Sequence, residues 1–116
     1  MKHIWRAFTN SWKGIVAATQ SELAFRQELM LLAAAIPLSL ILTPDFSKQL
    51  ALVGSLIFVM VVELLNTAIE KLCDRITGEP DPAIGRIKDM GSAAVGFSLL
   101  LAGIIWLWIV IEWIWL

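Results

Sequence analysis

Residues 49–70 read QLALVGSLIFVMVVELLNTAIE, and this stretch decides the fold class. Positions 49–62 carry no charged side chain. Glu63, Asn66, Thr67, Glu70 and Asp74 then follow at i, i+3, i+4, i+7 and i+11. At about 100° per residue, these five share roughly 100° of arc and form one polar stripe on a helix. Leu64, Leu65, Ile69 and Leu72 keep the other faces apolar. Ionisable groups on a membrane helix are costly and mark functional sites or polar interiors. The stripe is therefore the first candidate site, rather than only the point where a helix leaves the bilayer.

Working outward, the chain has 116 residues, 59% of them hydrophobic and 16% charged. One domain, 1–116, is expected. A water-soluble domain of this size cannot hide so much apolar surface, so an all-α membrane protein is expected. Residues 29–44 and 90–111 are also free of charge. Only the third run is long enough alone to cross about 30 Å of hydrocarbon. The first two span it if their polar ends lie among headgroups. The reading is three transmembrane helices, at about 28–44, 48–70 and 88–112, after an interfacial helix region over 2–27. Thr43-Pro44-Asp45-Phe46-Ser47 is expected to form the tight turn between the first two spans.

Basic residues orient the spans. Lys2, Arg6, Lys13 and Arg26 precede the first, and Lys48 alone lies between the first two. Lys71, Arg75, Arg86 and Lys88 lie between the second and third, and none follows. The positive-inside rule puts the N-terminus and second loop in the cytoplasm and the C-terminus outside. Trp5 and Trp12 would mark one interface, and Trp106, Trp108, Trp113 and Trp115 the other. Within residues 2–16, Ile4, Trp5, Phe8, Trp12, Ile15 and Val16 share one face, opposite Lys2, Arg6, Thr9, Asn10 and Lys13. That pattern predicts an amphipathic helix lying in the interface. Ser21 is expected to cap a second helical stretch leading into the first span.

Net charge is −1, with no basic run interleaved with aromatics, so nucleic acid is excluded as a partner. The single cysteine, Cys73, excludes an internal disulfide and a Cys-based zinc site. It is read as a packing residue, and the lone His3 as an interfacial one. No cleavable leader is expected, because the apolar positions near the N-terminus are spaced rather than continuous.

Thr77-Gly78-Glu79-Pro80 should break the second helix, and Asp81-Pro82 reads as an N-cap followed by proline at N1. A helix from 82 to 114 would run about 50 Å, so its first turns stand outside the hydrocarbon. If helices two and three form a hairpin about Glu79, Glu70 and Lys88 share a depth. Glu63 is then about 10 Å deeper. Glu22, Glu28, Glu63, Asn66, Glu70, Asp74, Lys88 and Asp89 all gather on the cytoplasmic side. Carboxylates without thiolates suit a hard ion such as Mg2+, shared with phosphate oxygens. Lysine beside them suits a polyphosphate. A deeper carboxylate suits proton removal from a lipid alcohol. These parts fit phosphoryl transfer. They also fit a small proton-coupled transporter using Glu63, or a non-catalytic membrane adaptor. Asp74 is read as a partner for Lys71 or Arg75.

Glu63-Leu64-Leu65-Asn66-Thr67-Ala68-Ile69-Glu70, then Asp74 and Gly85-Arg86-Ile87-Lys88-Asp89-Met90-Gly91-Ser92-Ala93-Ala94-Val95, resembles the bacterial diacylglycerol kinase family. Ser11-Trp12-Lys13-Gly14 and Glu22-Leu23-Ala24-Phe25-Arg26-Gln27-Glu28 are similar too. The resemblance covers nearly the whole chain. It implies an inner-membrane homotrimer with active sites shared between subunits, which transfers the γ-phosphoryl group of MgATP to a lipid alcohol. It implies Glu63 as the catalytic base, Glu22 and Glu70 as the metal carboxylates, and Asn66 as an orienting group between them. Lys88 and Asp89 would meet the nucleotide phosphates, with Glu79 and Asp81 as nucleotide neighbours. Ser11, Trp12, Gln27, Glu28, Ser92 and Trp106 would line the lipid site beside Glu63. Two departures stand out. His3 replaces an arginine common near the nucleotide, and no nucleotide role is carried onto it. The loop Gly78-Glu79-Pro80-Asp81-Pro82 lacks an aromatic or histidine. The family also includes undecaprenol kinases, but the block from Lys88 to Val95 is closer to the diacylglycerol type.

Overall fold

The computed structural model describes residues 2–115, which are helical apart from three short connections. The helices are α1 (Lys2–Ser21), α2 (Leu23–Leu42), α3 (Phe46–Ile76) and α4 (Pro82–Trp115). No strand occurs among the described residues. The all-α expectation holds, and α2, α3 and α4 are each long and apolar enough to cross a membrane.

The connections follow from local chemistry. Asp45 has extended backbone, and its Oδ1 accepts from the Ser47 N–H at 2.9 Å, which starts α3. Asp81 Oδ1 accepts from Ala83 N–H at 2.9 Å and from Ile84 N–H at 3.3 Å. Pro82 follows with a preset helical φ and no N–H to leave unpaired. The break between α1 and α2 departs from expectation. Ser21 is the last residue of α1, and its hydroxyl donates back to Ala17 O at 2.9 Å. Helical backbone at Ser21 favours that return bond over a forward cap. The hinge is Glu22, extended at φ −120° and ψ 108° with no side-chain cap.

α3 and α4 pack as a hairpin, and α2 lies on α3. Leu42, Leu52 and Ile109 form a buried cluster, against which Ile105, Trp106 and Val110 pack. Ala35, Ser39, Ser55, Ser98 and Ala102 are also buried. Their small side chains allow close helix approach. The serine hydroxyls donate within their own helices: Ser39 to Ile36 O, Ser55 to Leu52 O and Ser98 to Val95 O. Ser92, Ala94 and Gly96, small residues on the same helix as Ser98 and Ala102, stay on the surface.

At 31 and 34 residues, α3 and α4 outrun the 20-residue α2. With a rise of about 1.5 Å per residue, they run on past its start toward the α3–α4 loop, and this end of the bundle, the first turns of α2 included, forms the overhang. The accessible surface is 8720 Å², against about 6,300 Å² for a compact monomer of this mass. The radius of gyration is 17.3 Å, against about 13 Å for a compact chain of this length. The excess is largely apolar, with Leu40, Phe97 and Trp115 among the exposed side chains. Such a surface needs lipid or further protein against it.

Candidate functional site

The overhang holds the polar stripe of α3 against the first turns of α4. Nearest the α3–α4 loop, Lys88 Nζ pairs with Asp74 Oδ1 at 2.6 Å. Asp74 thus meets Lys88 rather than Lys71 or Arg75. Lys88 reaches one turn nearer the loop than the level of Glu70. Helical side chains lean toward their own N-terminus, which for α4 is the loop end, and lysine is long enough to cover that turn. Asp74, Thr77, Glu79, Asp81 and Lys88 line an open cleft of about 630 Å³. Glu79 and Asp81 are exposed at its rim, and Asp89, directly after Lys88 on α4, is exposed as well.

One turn deeper, Asn66 Nδ2 donates to Glu70 Oε1 at 3.3 Å. Asn66 Oδ1 is buried and has no hydrogen-bond partner. It lies against Gly91, where a Cβ would overlap it and come within 3.2 Å of Asn66 Cγ. Lys71 Nζ pairs with Glu22 Oε1 at 3.0 Å and donates to Ser21 Oγ at 3.4 Å. The α1–α2 hinge is thereby tied to α3 next to Glu70. No group of three or more His, Cys, Asp or Glu side chains converges as a metal cage among the described residues. Glu22 and Glu70 therefore suit a hard cation only when other oxygens complete its shell, as phosphates do for Mg2+.

Deeper again, Glu63 is half-buried, with no side-chain hydrogen bond or ion pair among the described residues. Glu28 is half-buried, and its Oε2 is enclosed without a partner. Glu28 heads a narrow cavity of about 200 Å³ with Leu31, Leu56, Val59, Met60, Leu99 and Ala102. Leu31, Leu56, Leu99 and Ala102 also line the adjoining groove of about 420 Å³, which ends at Trp106. A carboxylate at one end and an indole at the other thus bracket an apolar channel on the outside of the bundle.

Not every expected residue joins this assembly. Trp106 belongs to the far half, where its Nε1 donates to Leu52 O at 3.1 Å. Leu52 precedes Glu63 by 11 residues, about 16 Å along α3. Ser11 and Trp12 are exposed on α1, and Ser11 Oγ donates to Ala7 O at 2.8 Å. Gln27 and Ser92 are exposed on α2 and α4. Two residues gain importance beyond the sequence reading: Asp74, as the partner of Lys88, and Gly91, as the seat of Asn66. Counting outward from Glu79 places Asn66 and Gly91 opposite one another, and that register was the available signal.

A family model described as prokaryotic diacylglycerol kinase matches residues 9–110. A diacylglycerol kinase of Escherichia coli is 44% identical over 103 residues, covering 89% of this chain and 84% of the relative. One from Haemophilus influenzae is 37% identical over 106 residues, covering 91% and 90%. One from Pseudomonas aeruginosa is 35% identical over 106 residues, covering 91% and 86%.

Proposed function

The chain belongs to the prokaryotic diacylglycerol kinase family, and from that premise we propose how its overhang performs ATP-dependent phosphorylation of a membrane alcohol. It is a membrane-embedded lipid kinase with diacylglycerol as acceptor and ATP as donor. Neither undecaprenol phosphorylation nor proton-coupled transport is favoured by these relatives.

The observation that carries it is the open polarity of the overhang. Glu63 is unpaired among the described residues, and Glu28 Oε2 and Asn66 Oδ1 are enclosed acceptors without donors. ATP enters the cleft beside the α3–α4 loop, between Glu79 and Asp81. There its phosphates take Lys88 from Asp74, and Asp89 borders them. A doubly charged phosphate competes well for an exposed lysine held by a single carboxylate. The lipid arrives laterally, with an acyl chain along the channel from Glu28 toward Trp106. Its hydroxyl sits near Glu63, and the triphosphate reaches inward from Lys88 so that its γ-phosphoryl group meets that hydroxyl. Ser11, Trp12, Gln27 and Ser92 border the headgroup region.

Glu63 removes the hydroxyl proton as the lipid oxygen bonds to the γ-phosphorus and the bond to the β–γ bridging oxygen breaks. The products are phosphatidic acid, ADP and a protonated Glu63, which returns its proton to water. Mg2+ bound by Glu22 and Glu70 would supply charge neutralisation on the β- and γ-phosphates. Asn66 holds the Glu70 carboxylate between base and metal. The positive-inside distribution favours a cytoplasmic N-terminus and a periplasmic C-terminus in the inner membrane. The excess apolar surface favours assembly as a homotrimer with sites completed by neighbouring copies. The apolar face of α1, with Ile4, Trp5, Phe8 and Trp12 exposed, suits the membrane interface.

The test is ATP-dependent phosphate transfer in mixed micelles, with diacylglycerol and undecaprenol offered separately and Glu63→Gln beside each. Transfer to diacylglycerol that disappears in a folded Glu63→Gln protein is expected. Near-native turnover in that variant would remove Glu63 as the base, and preferential transfer to undecaprenol would overturn the substrate.

A further inference from the structure

We propose that Gly91 is a positioning residue of the phosphoryl-transfer site, whose missing side chain forms the seat that makes the Asn66 amide aim Glu70. The space beside the Gly91 Cα is filled by Asn66 Oδ1, which a Cβ there would overlap. On its other side the same amide donates to Glu70 Oε1. Its orientation is determined, because a carboxylate only accepts and the NH2 group must face it. Asn66 is thus wedged across the helix pair, with its oxygen in the glycine gap and its nitrogen on a carboxylate. Packing alone would be better served by an apolar side chain, because the enclosed Oδ1 has no donor. The amide is retained there for what its nitrogen does. By engaging Oε1 it fixes the rotation of the Glu70 carboxylate and leaves Oε2 for the cation that accompanies the nucleotide. Groups bonded to a metal ligand set its orientation in this way.

Gly91 differs in this respect from the next glycine of α4. A Cβ at Gly96 would meet nothing within 4 Å. Alanine is the better helix former, so neither Gly91→Ala nor Gly96→Ala should unfold α4. The added methyl at 91 meets the tip of a side chain that can swing aside. The fold survives, and the bond from Asn66 to Glu70 is lost.

The inference rests on the assignment of Glu70 to the nucleotide-bound cation, so the experiment reads the two separately. Binding of Mn2+ with a non-hydrolysable ATP analogue is measured by electron paramagnetic resonance, beside turnover and thermal unfolding, for the purified full chain. Gly91→Ala should remain folded, weaken Mn2+ binding by about tenfold or more, and lower turnover in step. Gly96→Ala should change neither. Asn66→Ala should match Gly91→Ala, and the double variant should be no worse than Asn66→Ala alone, because both remove one interaction. Native Mn2+ affinity in Gly91→Ala, multiplied losses in the double variant, or failure of Gly91→Ala to fold would each overturn the inference. If Glu70→Ala leaves Mn2+ binding unchanged, the metal assignment itself falls. If Glu70→Ala weakens binding and Gly91→Ala does not, only the role of Gly91 falls.

Discussion

The two ends of the α3–α4 hairpin both carry ion pairs, but they differ in what they leave without a partner. At the end beside the α2–α3 turn, polar side chains are consumed by one another. Lys48 pairs with Glu112, and Trp108 Nε1 donates to the other oxygen of Glu112 at 2.7 Å. Gln49 Nε2 donates to Thr43 O at 2.8 Å, and Thr43 Oγ1 accepts from Asp45 N–H at 3.2 Å. At the overhang, Glu28 and Asn66 each keep an enclosed acceptor without a donor. Buried polar atoms ordinarily find partners, so Glu28 Oε2, enclosed at the head of the apolar channel, marks a place for an arriving donor, while Asn66 Oδ1 is taken up by the gap at Gly91. Polarity in a membrane protein is thus an ambiguous signal by residue type: pairs occur at both ends, and the enclosed acceptors without donors fall at one.

The largest effect that tests this contrast is at Lys88. Lys88→Met removes the cation that meets the phosphates, and kcat/KM for ATP should fall by about a hundredfold or more. Asp74→Asn keeps the lysine and removes only its resting partner, so its effect should stay within about fivefold. Steady-state kinetics with varied ATP separates the two. Equal, large losses would show that Asp74 acts during turnover as well as at rest, and would enlarge the open end by one carboxylate.

These residues also show how far the sequence reaches. The charge-free runs announce three apolar helices, and Asp81-Pro82 announces the start of α4, because both signals are local to the chain. The stripe from Glu63 to Asp74 is legible because helical period alone puts its members on one face. The partner of Asp74 is misjudged as Lys71 or Arg75, because depth counted on Cα positions ignores the lean of the long Lys88 side chain toward the loop. The Lys48–Glu112 pair and the Trp106–Leu52 bond are invisible beforehand, because they depend on how two helices are rotated about their axes. Gly91 is quoted in the family pattern, yet its meaning lies in the Asn66 amide that fills its empty side, which no periodicity reports.

The closed end supplies the next test. Lys48→Met leaves Glu112 without its cation, and Glu112→Gln leaves Lys48 without its anion. Each should lower the thermal midpoint in micelles by several degrees while turnover at low temperature is kept. Replacing both, as Lys48→Met with Glu112→Leu, should recover part of the loss, because the pair is about a third exposed and water takes up much of the cost of either unpaired charge. A folded Lys48→Met protein that loses turnover at low temperature would break the contrast, since the clamp would then belong to the catalytic machinery.

The smallest effect is at Trp106, where the two ends meet along the apolar channel. Trp106→Phe removes the Nε1 donor to Leu52 O and keeps most of the ring. Leu52 O still accepts from Ser55 Oγ at 2.8 Å, so the carbonyl is not orphaned. The cost in stability should be about 1 kcal/mol or less, the net value of one hydrogen bond. Because Trp106 closes the groove that begins at Glu28, phenylalanine also shortens the indole wall against an acyl chain. The KM for long-chain diacylglycerol should then rise by a few-fold, with kcat and the KM for ATP unchanged, and a short-chain substrate should not register the change. A stability loss with no dependence on chain length would assign Trp106 wholly to the closed end. A chain-length effect without loss of stability would assign it to the lipid path, and the boundary between clamp and site would then run through the bond from Trp106 to Leu52.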